Sequence, residues 1–100
     1  MRLSEQQREI IKRTLLKYFG AGSDVRLFGS RVDDKARGGD IDLYIEPDIN
    51  AADVVVDAKL GALVELHRLL EDQKIDLVIN RKTGTVLPIY KIAKDTGIRL

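Results

Sequence analysis

The sequence contains no cysteine and no tryptophan, and histidine occurs once among its 100 residues. Without cysteine the chain can form neither a disulfide framework nor a thiolate metal site, which is typical of proteins in a reducing cytosol. Tyrosine occurs 3 times and phenylalanine 2 times. So few aromatic side chains provide no platform on which RNA bases or sugars could stack.

Long apolar runs and an excess of one charge are also missing. No apolar run is long enough to cross a membrane, and the first residues lack the apolar core of a signal peptide. Lysine and arginine number 17 against 16 for aspartate and glutamate, a formal net charge of +1. This balance excludes a strong non-specific hold on nucleic acid or on an anionic membrane. We therefore expect a cytoplasmic protein.

The composition that remains is that of one folded domain. Hydrophobic residues make up 44% and charged residues 33% of the chain, which argues against disorder. One hundred residues suffice for a single core, without room for a catalytic domain beside a separate substrate domain. We expect residues 1–100 to form a single domain.

Apolar periodicity and turn residues divide the chain into helices and strands. Ser4 and Gln7 have capping-box spacing, which predicts a helix from about residue 5 that ends at Gly20. Further helices are predicted over 31–36, 51–70 and 88–95, and strands over 25–28, 40–46, 75–79 and, at the sheet edge, 98–100. One face of the long helix is expected to contain Leu60, Leu63, Val64, His67 and Leu70. The order predicts an α/β or α+β fold, a small mixed sheet with helices packed on it.

Two predicted strands carry acidic residues. Apolar and polar side chains alternate in 40–46, which predicts one buried face, with Asp40, Asp42 and Tyr44 on the other. Asp40 and Asp42 would lie about 7 Å apart at Cα, and Asp76 would join them if its strand pairs beside theirs. Three carboxylates without histidine or cysteine favour a hard cation, Mg²⁺ first and Mn²⁺ as a substitute. One carboxylate could bridge two such ions.

A Gly-Ser pair follows the first strand, where a helix is predicted to begin. Gly29 lets a ligand approach the backbone, Ser30 offers a hydroxyl, and outward N–H groups of the next turn suit nucleotide phosphates. Arg31 follows directly and could clamp phosphate charge. Phosphate donors on one side and carboxylates on the other are the layout that metal-assisted nucleotidyl transfer needs.

Together these motifs resemble a known family. The segments concerned are Leu27-Phe28-Gly29-Ser30-Arg31, Gly39-Asp40-Ile41-Asp42-Leu43 and Ile75-Asp76-Leu77-Val78. They look like those of the minimal nucleotidyltransferase (MNT) domains of the DNA polymerase β-like superfamily. The resemblance implies a polymerase β-like nucleotidyltransferase fold in which Gly29 and Ser30 hold the nucleotide phosphates. It also implies that Asp40 and Asp42 bind two metal ions, while Asp76 completes the site and helps deprotonate the attacking hydroxyl.

The same resemblance implies a reaction and a partner. A hydroxyl would attack the α-phosphorus of a nucleoside triphosphate, with ATP as the expected substrate, and pyrophosphate would leave. Small MNT proteins of this kind are similar to the antitoxin partners of HEPN-domain ribonuclease toxins, in which the MNT protein adenylylates a toxin tyrosine. A chain of 100 residues leaves little room to cradle an acceptor, which fits an acceptor presented by another protein.

Other interpretations of the sequence stay open. The chain could be a catalytically weak or inactive binding module that neutralises its partner by forming a complex, since its apolar helix stripes exceed what a small core can bury. A transferase for a small molecule such as an antibiotic ranks last, because those relatives carry an acceptor-binding domain. His67 is predicted at the edge of the core rather than as a ligand. Asp95-Thr96-Gly97 is predicted to be a helix end rather than a protease motif.

Overall fold

The computed structural model describes residues 2–33, 39–71 and 73–100. In chain order its elements are α1 (Glu5–Phe19), β1 (Asp24–Phe28), a 3₁₀ turn (Gly29–Val32), β2 (Ile41–Glu46), α2 (Ala52–Leu70), β3 (Ile75–Ile79), α3 (Pro88–Thr96) and β4 (Ile98–Arg99). Within the described ranges, no helix has the length and apolar character required to span a membrane.

The strands form one mixed sheet in the order β3-β2-β1-β4. β1 runs antiparallel to both β2 and β4, whereas β2 and β3 are parallel. A parallel pair needs a long crossover connection, and α2 supplies it between β2 and β3. The predicted fold class is confirmed, as is the prediction that the last strand lies at the sheet edge.

Helix ends follow local sequence signals. The Ser4 hydroxyl accepts a hydrogen bond from the Gln7 N–H, and the Gln7 side chain accepts one from the Ser4 N–H, both at 3.0 Å, so the capping box is confirmed. Gly20 ends α1 with a φ of 107°, a conformation that glycine adopts without strain. Pro88 begins α3, where its missing N–H is not needed. Gly97 ends α3, which confirms the Asp-Thr-Gly triplet as a helix end.

The main core lies between one face of the sheet and the helices α1 and α2. The helices contribute Ile11, Leu15, Phe19, Val55, Ala58, Ala62, Leu66 and Leu70. Alternate strand positions complete it, among them Leu27, Ile41, Leu43, Ile45, Ile75 and Leu77. On the opposite face α3 packs through Ala93 against Phe28 and Tyr44. The sheet is therefore covered by two helices on one side and by one short helix on the other.

The predicted one-sided burial of β2 is wrong at the carboxyl end of the strand. Tyr44 and Glu46 are 0% and 6% exposed, although they alternate with the core residues. The reason is α3, which covers this part of the second face. Asp42 lies on the same face but is only partly buried.

The predicted apolar face of α2 is buried only in part, because Leu70 lies in the core and Leu63 packs against it. Leu60 and Val64 are 61% and 69% exposed, and His67 lies in solvent rather than at the core edge. The side chains of α2 that face the core are Val55, Ala58, Ala62, Leu66 and Leu70. Periodicity gives α2 two apolar faces, one with Leu60 and Val64 and one with Ala58 and Ala62. The small side chains of the alanines allow α2 to pack closely in the core. α2 therefore has one buried and one exposed apolar face.

The predicted short helix over 31–36 takes a different form. A single 3₁₀ turn begins at Gly29, before the expected start, and ends before Asp33, whose backbone is extended. Residues 34–36 of that prediction lie outside the described residues. One turn carries little helix dipole, so its N–H groups attract an anion less than those of a longer helix would.

Candidate functional site

Acidic side chains of β2 and β3 lie on the sheet face that carries α3. The parallel register places Asp42 beside Asp76, on strands that lie about 4.8 Å apart. Asp42 is partly buried and Asp76 is exposed, so these two residues, the acidic pair, stand at the border of the covered surface. The sheet thus brings together carboxylates that are far apart in the sequence.

The surroundings of Asp42 raise the pKa of its carboxyl group. Burial is the largest cause that raises the pKa of Asp42 above its ordinary value, and the charges of Asp76 and Asp40 raise it further. A hydrogen bond with Asp76 acts in the same direction, whereas the Lys74 ammonium opposes it. Ionising the whole cluster without a cation therefore lowers the free energy of unfolding.

Asp40, two residues before Asp42, forms an ion pair with Lys74. Its Oδ2 lies 3.6 Å from Nζ of Lys74, with side chains that are 39% and 74% exposed. Among residues 2–33, 39–71 and 73–100, no three histidine, aspartate or glutamate side chains are already grouped as metal ligands. An exposed ion pair contributes little stability. Breaking the Asp40–Lys74 pair so that Asp40 could bind a cation would therefore lose little free energy. The metal role of all three carboxylates stays a prediction.

The Gly29-Ser30 turn lies directly against Asp42. Phe28 and Asp42 are partners in the β1–β2 register, so the turn after β1 begins next to the acidic pair. Gly29 has a φ of 76°, and a Cβ at this position would fall on Oδ2 of Asp42. Glycine is therefore required both for the backbone conformation and for the close approach.

Ser30 is exposed and packs against the entry to β2. A Cβ on Gly39 would fall on the Ser30 hydroxyl oxygen, and Gly39 has a φ of 92°. The Ser30 carbonyl accepts hydrogen bonds from the Arg2 guanidinium at 2.9 Å and from the Asp33 N–H at 3.1 Å. The structure thus places Ser30 beside the segment that leads into Asp40.

Arg31 holds the turn in place. Its guanidinium donates to the Arg2 carbonyl at 3.0 Å, to Gln73 Oε1 at 2.9 Å and to the Gly39 carbonyl at 3.3 Å. These bonds connect the amino-terminal segment, the entry to β2 and the segment before β3. Arg31 is therefore a positioning residue, and its contact with phosphate stays a prediction.

No model of a known protein family matches this chain, and no curated protein matches it. The acidic pair places carboxylate oxygens, the donor type that hard cations prefer, next to the exposed Gly29-Ser30 turn.

A second polar cluster lies further along β2, on the same face. The buried Glu46 carboxylate accepts a hydrogen bond from the Tyr44 hydroxyl at 2.6 Å. It also forms ion pairs with Lys82 at 2.9 Å and with Lys94 at 3.1 Å. Asn80 donates to the Tyr44 hydroxyl at 3.0 Å. The cluster joins β2, the loop after β3 and α3.

The pKa values of this cluster follow from its contacts. Burial raises the pKa of Glu46, but the hydrogen bonds from Tyr44, Lys82 and Lys94 together outweigh it and lower the pKa to about 2. Burial and the bond to Glu46 raise the pKa of Tyr44 to about 12. Glu46 is therefore a buried, ionised carboxylate at neutral pH.

This cluster forms a wall of a cleft of about 470 Å³ between α3 and the loop after β3. Val86, Tyr90 and Lys91 also line the cleft, and the Tyr44 and Tyr90 rings lie 6.3 Å apart at a tilt of 56°. Sequence reasoning missed this cleft because Lys82 and Lys94 reach Glu46 from distant parts of the chain. The one local signal was a charged residue at the end of an apolar strand.

Proposed function

We propose that this chain is a metal-dependent nucleotidyltransferase that transfers AMP from ATP to a hydroxyl of a partner protein. The observation that supports it is the acidic pair in parallel register against the Gly29-Ser30 turn. Nucleotidyl transfer requires carboxylates and phosphate-binding backbone within the span of one triphosphate. The motifs that resemble MNT domains supply the same residues.

The ligand chemistry of the site fits Mg²⁺. Oxygen donors without nitrogen or sulfur favour a hard cation, and a cation would offset both the burial and the repulsion that raise the pKa of Asp42. Asp42 and Asp76, with Asp40 released from Lys74, would hold the expected two ions, for which Mn²⁺ can substitute. Bound Mg²⁺ supplies charge neutralisation of the triphosphate and a lowered pKa of the attacking hydroxyl.

The residues of the chain bind and orient the reactants. Gly29 and Ser30 present backbone N–H groups and a hydroxyl to the phosphates, and Arg31 holds their turn in place. Asp76 is exposed at the border of the site and takes the proton of the attacking hydroxyl. The hydroxyl oxygen bonds to the α-phosphorus as the bond to pyrophosphate breaks, so AMP remains on the acceptor.

The proposed acceptor is a tyrosine of a HEPN-type toxin, which would make this chain an antitoxin. This part of the proposal rests on the resemblance to MNT proteins of toxin–antitoxin pairs. The cleft beside Glu46 adds a physical argument, because its volume of about 470 Å³ leaves space for a protein segment on the face of the acidic pair.

The test of transfer uses Mg²⁺, ATP labelled at the α-phosphate and the protein encoded by the neighbouring gene as the candidate acceptor. We expect label on a tyrosine of that partner and none with Asp42→Asn, which removes a charged ligand and relieves repulsion, so the fold persists. Asp57→Asn, on the exposed surface of α2, is the matched control and should transfer label normally. No label with any nucleoside triphosphate, in Mg²⁺ or in Mn²⁺, would contradict the proposal.

A binding module is the second candidate function. Val86 and Ile92, beside the cleft and on α3, are 76% and 53% exposed, and such apolar side chains favour docking of another protein. In this case the chain neutralises its partner by covering it. Neutralisation by Asp42→Asn as strong as by the wild type would favour the binding module over transfer.

A further inference from the structure

The exposed face of α2 carries an apolar stripe. Val56, Leu60 and Val64 are 57%, 61% and 69% exposed and recur every four residues, so they share one face of the helix. A groove of about 340 Å³ beside them is lined by Tyr18, Leu60, Gly61, Val64, Glu65 and Arg68. Contiguous apolar surface of this kind indicates an interaction surface, which is called here the α2 stripe (Val56, Leu60 and Val64).

The α2 stripe is symmetric about Leu60. Val56 and Val64 lie four residues to either side of it, and Asp53 and His67 lie seven residues to either side. Seven residues turn through about 700°, within about 20° of two full turns, so Asp53 and His67 lie at the two ends of the stripe. Its amino-terminal end is acidic, and its carboxyl-terminal end is basic through His67 and Arg68.

A surface with this symmetry is complementary to a second copy of itself. In an antiparallel arrangement with a two-fold axis at Leu60, Val56 of each copy faces Val64 of the other. The acidic end at Asp53 then faces the basic end of the second copy, and every contact occurs twice. We propose that the α2 stripe is the interface of a homodimer.

The surface around the stripe is preformed. Lys17 and Glu65 form an ion pair of 2.8 Å between α1 and α2, and Gly61 lies against the Tyr18 ring. The groove that results borders the stripe between Leu60 and Val64, which is where the two-fold arrangement brings Val56 of the second copy. α1 and α2 cover the sheet face opposite the acidic pair, so the dimer leaves both candidate sites open. The proposal is therefore independent of nucleotidyl transfer.

Sedimentation equilibrium over a range of concentrations tests the dimer. We expect the wild type to dimerise and Leu60→Asp to raise the dissociation constant about tenfold or more, because it places two charges in the apolar centre. Val86→Asp is the matched control, since Val86 is 76% exposed but lies beside the cleft on the other face of the sheet. A wild type that stays monomeric, or a Leu60→Asp protein that dimerises normally, overturns the proposal.

A charge exchange tests the antiparallel register. Asp53→Lys alone places an ammonium opposite the end of the second copy that carries Arg68, and His67→Asp alone places a carboxylate opposite Asp53. Each is expected to raise the dissociation constant about three- to fivefold. One exposed charge contact contributes little free energy of association, but the two-fold symmetry makes every contact occur twice. The double variant should recover nearly the wild-type value. Each substitution weakens the helix dipole interaction of α2, so a dissociation constant that recovers in the double variant cannot come from a more stable helix. If the two single effects simply add in the double variant, the antiparallel arrangement is overturned.

Discussion

Glu46→Gln measures how much the buried polar cluster stabilises the fold. The Glu46 side chain is 6% exposed and is bonded to Tyr44, Lys82 and Lys94. These contacts outweigh the effect of burial and lower its pKa from 4.5 to about 2. A pKa difference of about 2.5 corresponds to about 3 kcal/mol of stabilisation when the carboxylate is ionised.

The expected loss is smaller because water screens the lysines, whose side chains are 62% and 51% exposed. We expect Glu46→Gln to lower the free energy of unfolding by about 2 kcal/mol at neutral pH. The folded-state pKa is lowered, so the stabilisation is complete above a pH of about 4.5 and is lost as the pH falls towards about 2. The difference between wild type and variant should shrink in that range.

Urea denaturation followed by circular dichroism, at pH values from about 7 to about 3, provides the measurement. Glu9→Gln, on the exposed side of α1, is the control and should change the free energy of unfolding by less than about 0.5 kcal/mol. The reasoning is refuted if Glu46→Gln is as stable as the wild type at neutral pH. A difference that stays constant as the pH falls would refute it as well.

Two further substitutions test local features of the fold. Gly29→Ala should lower the free energy of unfolding by about 1–3 kcal/mol, because it forces alanine to a φ of 76° and places a Cβ on the Asp42 carboxylate. Gly84→Ala, where a Cβ meets no atom within 4 Å, is its control, and equal effects of the two in urea denaturation would contradict the close approach. Ser4→Ala should lower the free energy of unfolding by about 1 kcal/mol, and with it the thermal midpoint, because it removes the capping box. An unchanged thermal midpoint would show that the cap does not stabilise α1.

Local signals in the sequence were enough to predict the order of elements and most of their ends. The capping box at Ser4, the turn at Gly20 and the proline that begins α3 act through neighbouring backbone groups. They require no information about distant residues, so the sequence could reveal them. Alternation in β2 and β3 likewise predicted that Asp42 and Asp76 each lie on the face of their strand opposite the core residues. The parallel register of the structure then puts the two side by side.

Predictions that depended on distant contacts were less successful. Periodicity showed that α2 has apolar faces, but packing against the sheet decided that Ala58 and Ala62 face inward while Leu60 and Val64 face solvent. Burial of Tyr44 and Glu46 depended on α3, which lies far along the chain. The contacts of Arg31 with Gln73 and of Asp40 with Lys74 join segments that are more than 30 residues apart in the chain.

The sequence by itself therefore determined the fold class, the ends of α1 and α3 and the spacing of the acidic residues, because these follow from local hydrogen bonds and side-chain periodicity. The tertiary structure decided which apolar face is buried, which charges are paired and where the Glu46 cleft forms. Those outcomes depend on side chains that meet only when distant segments pack, and periodicity carries no information about which segment will cover a given face.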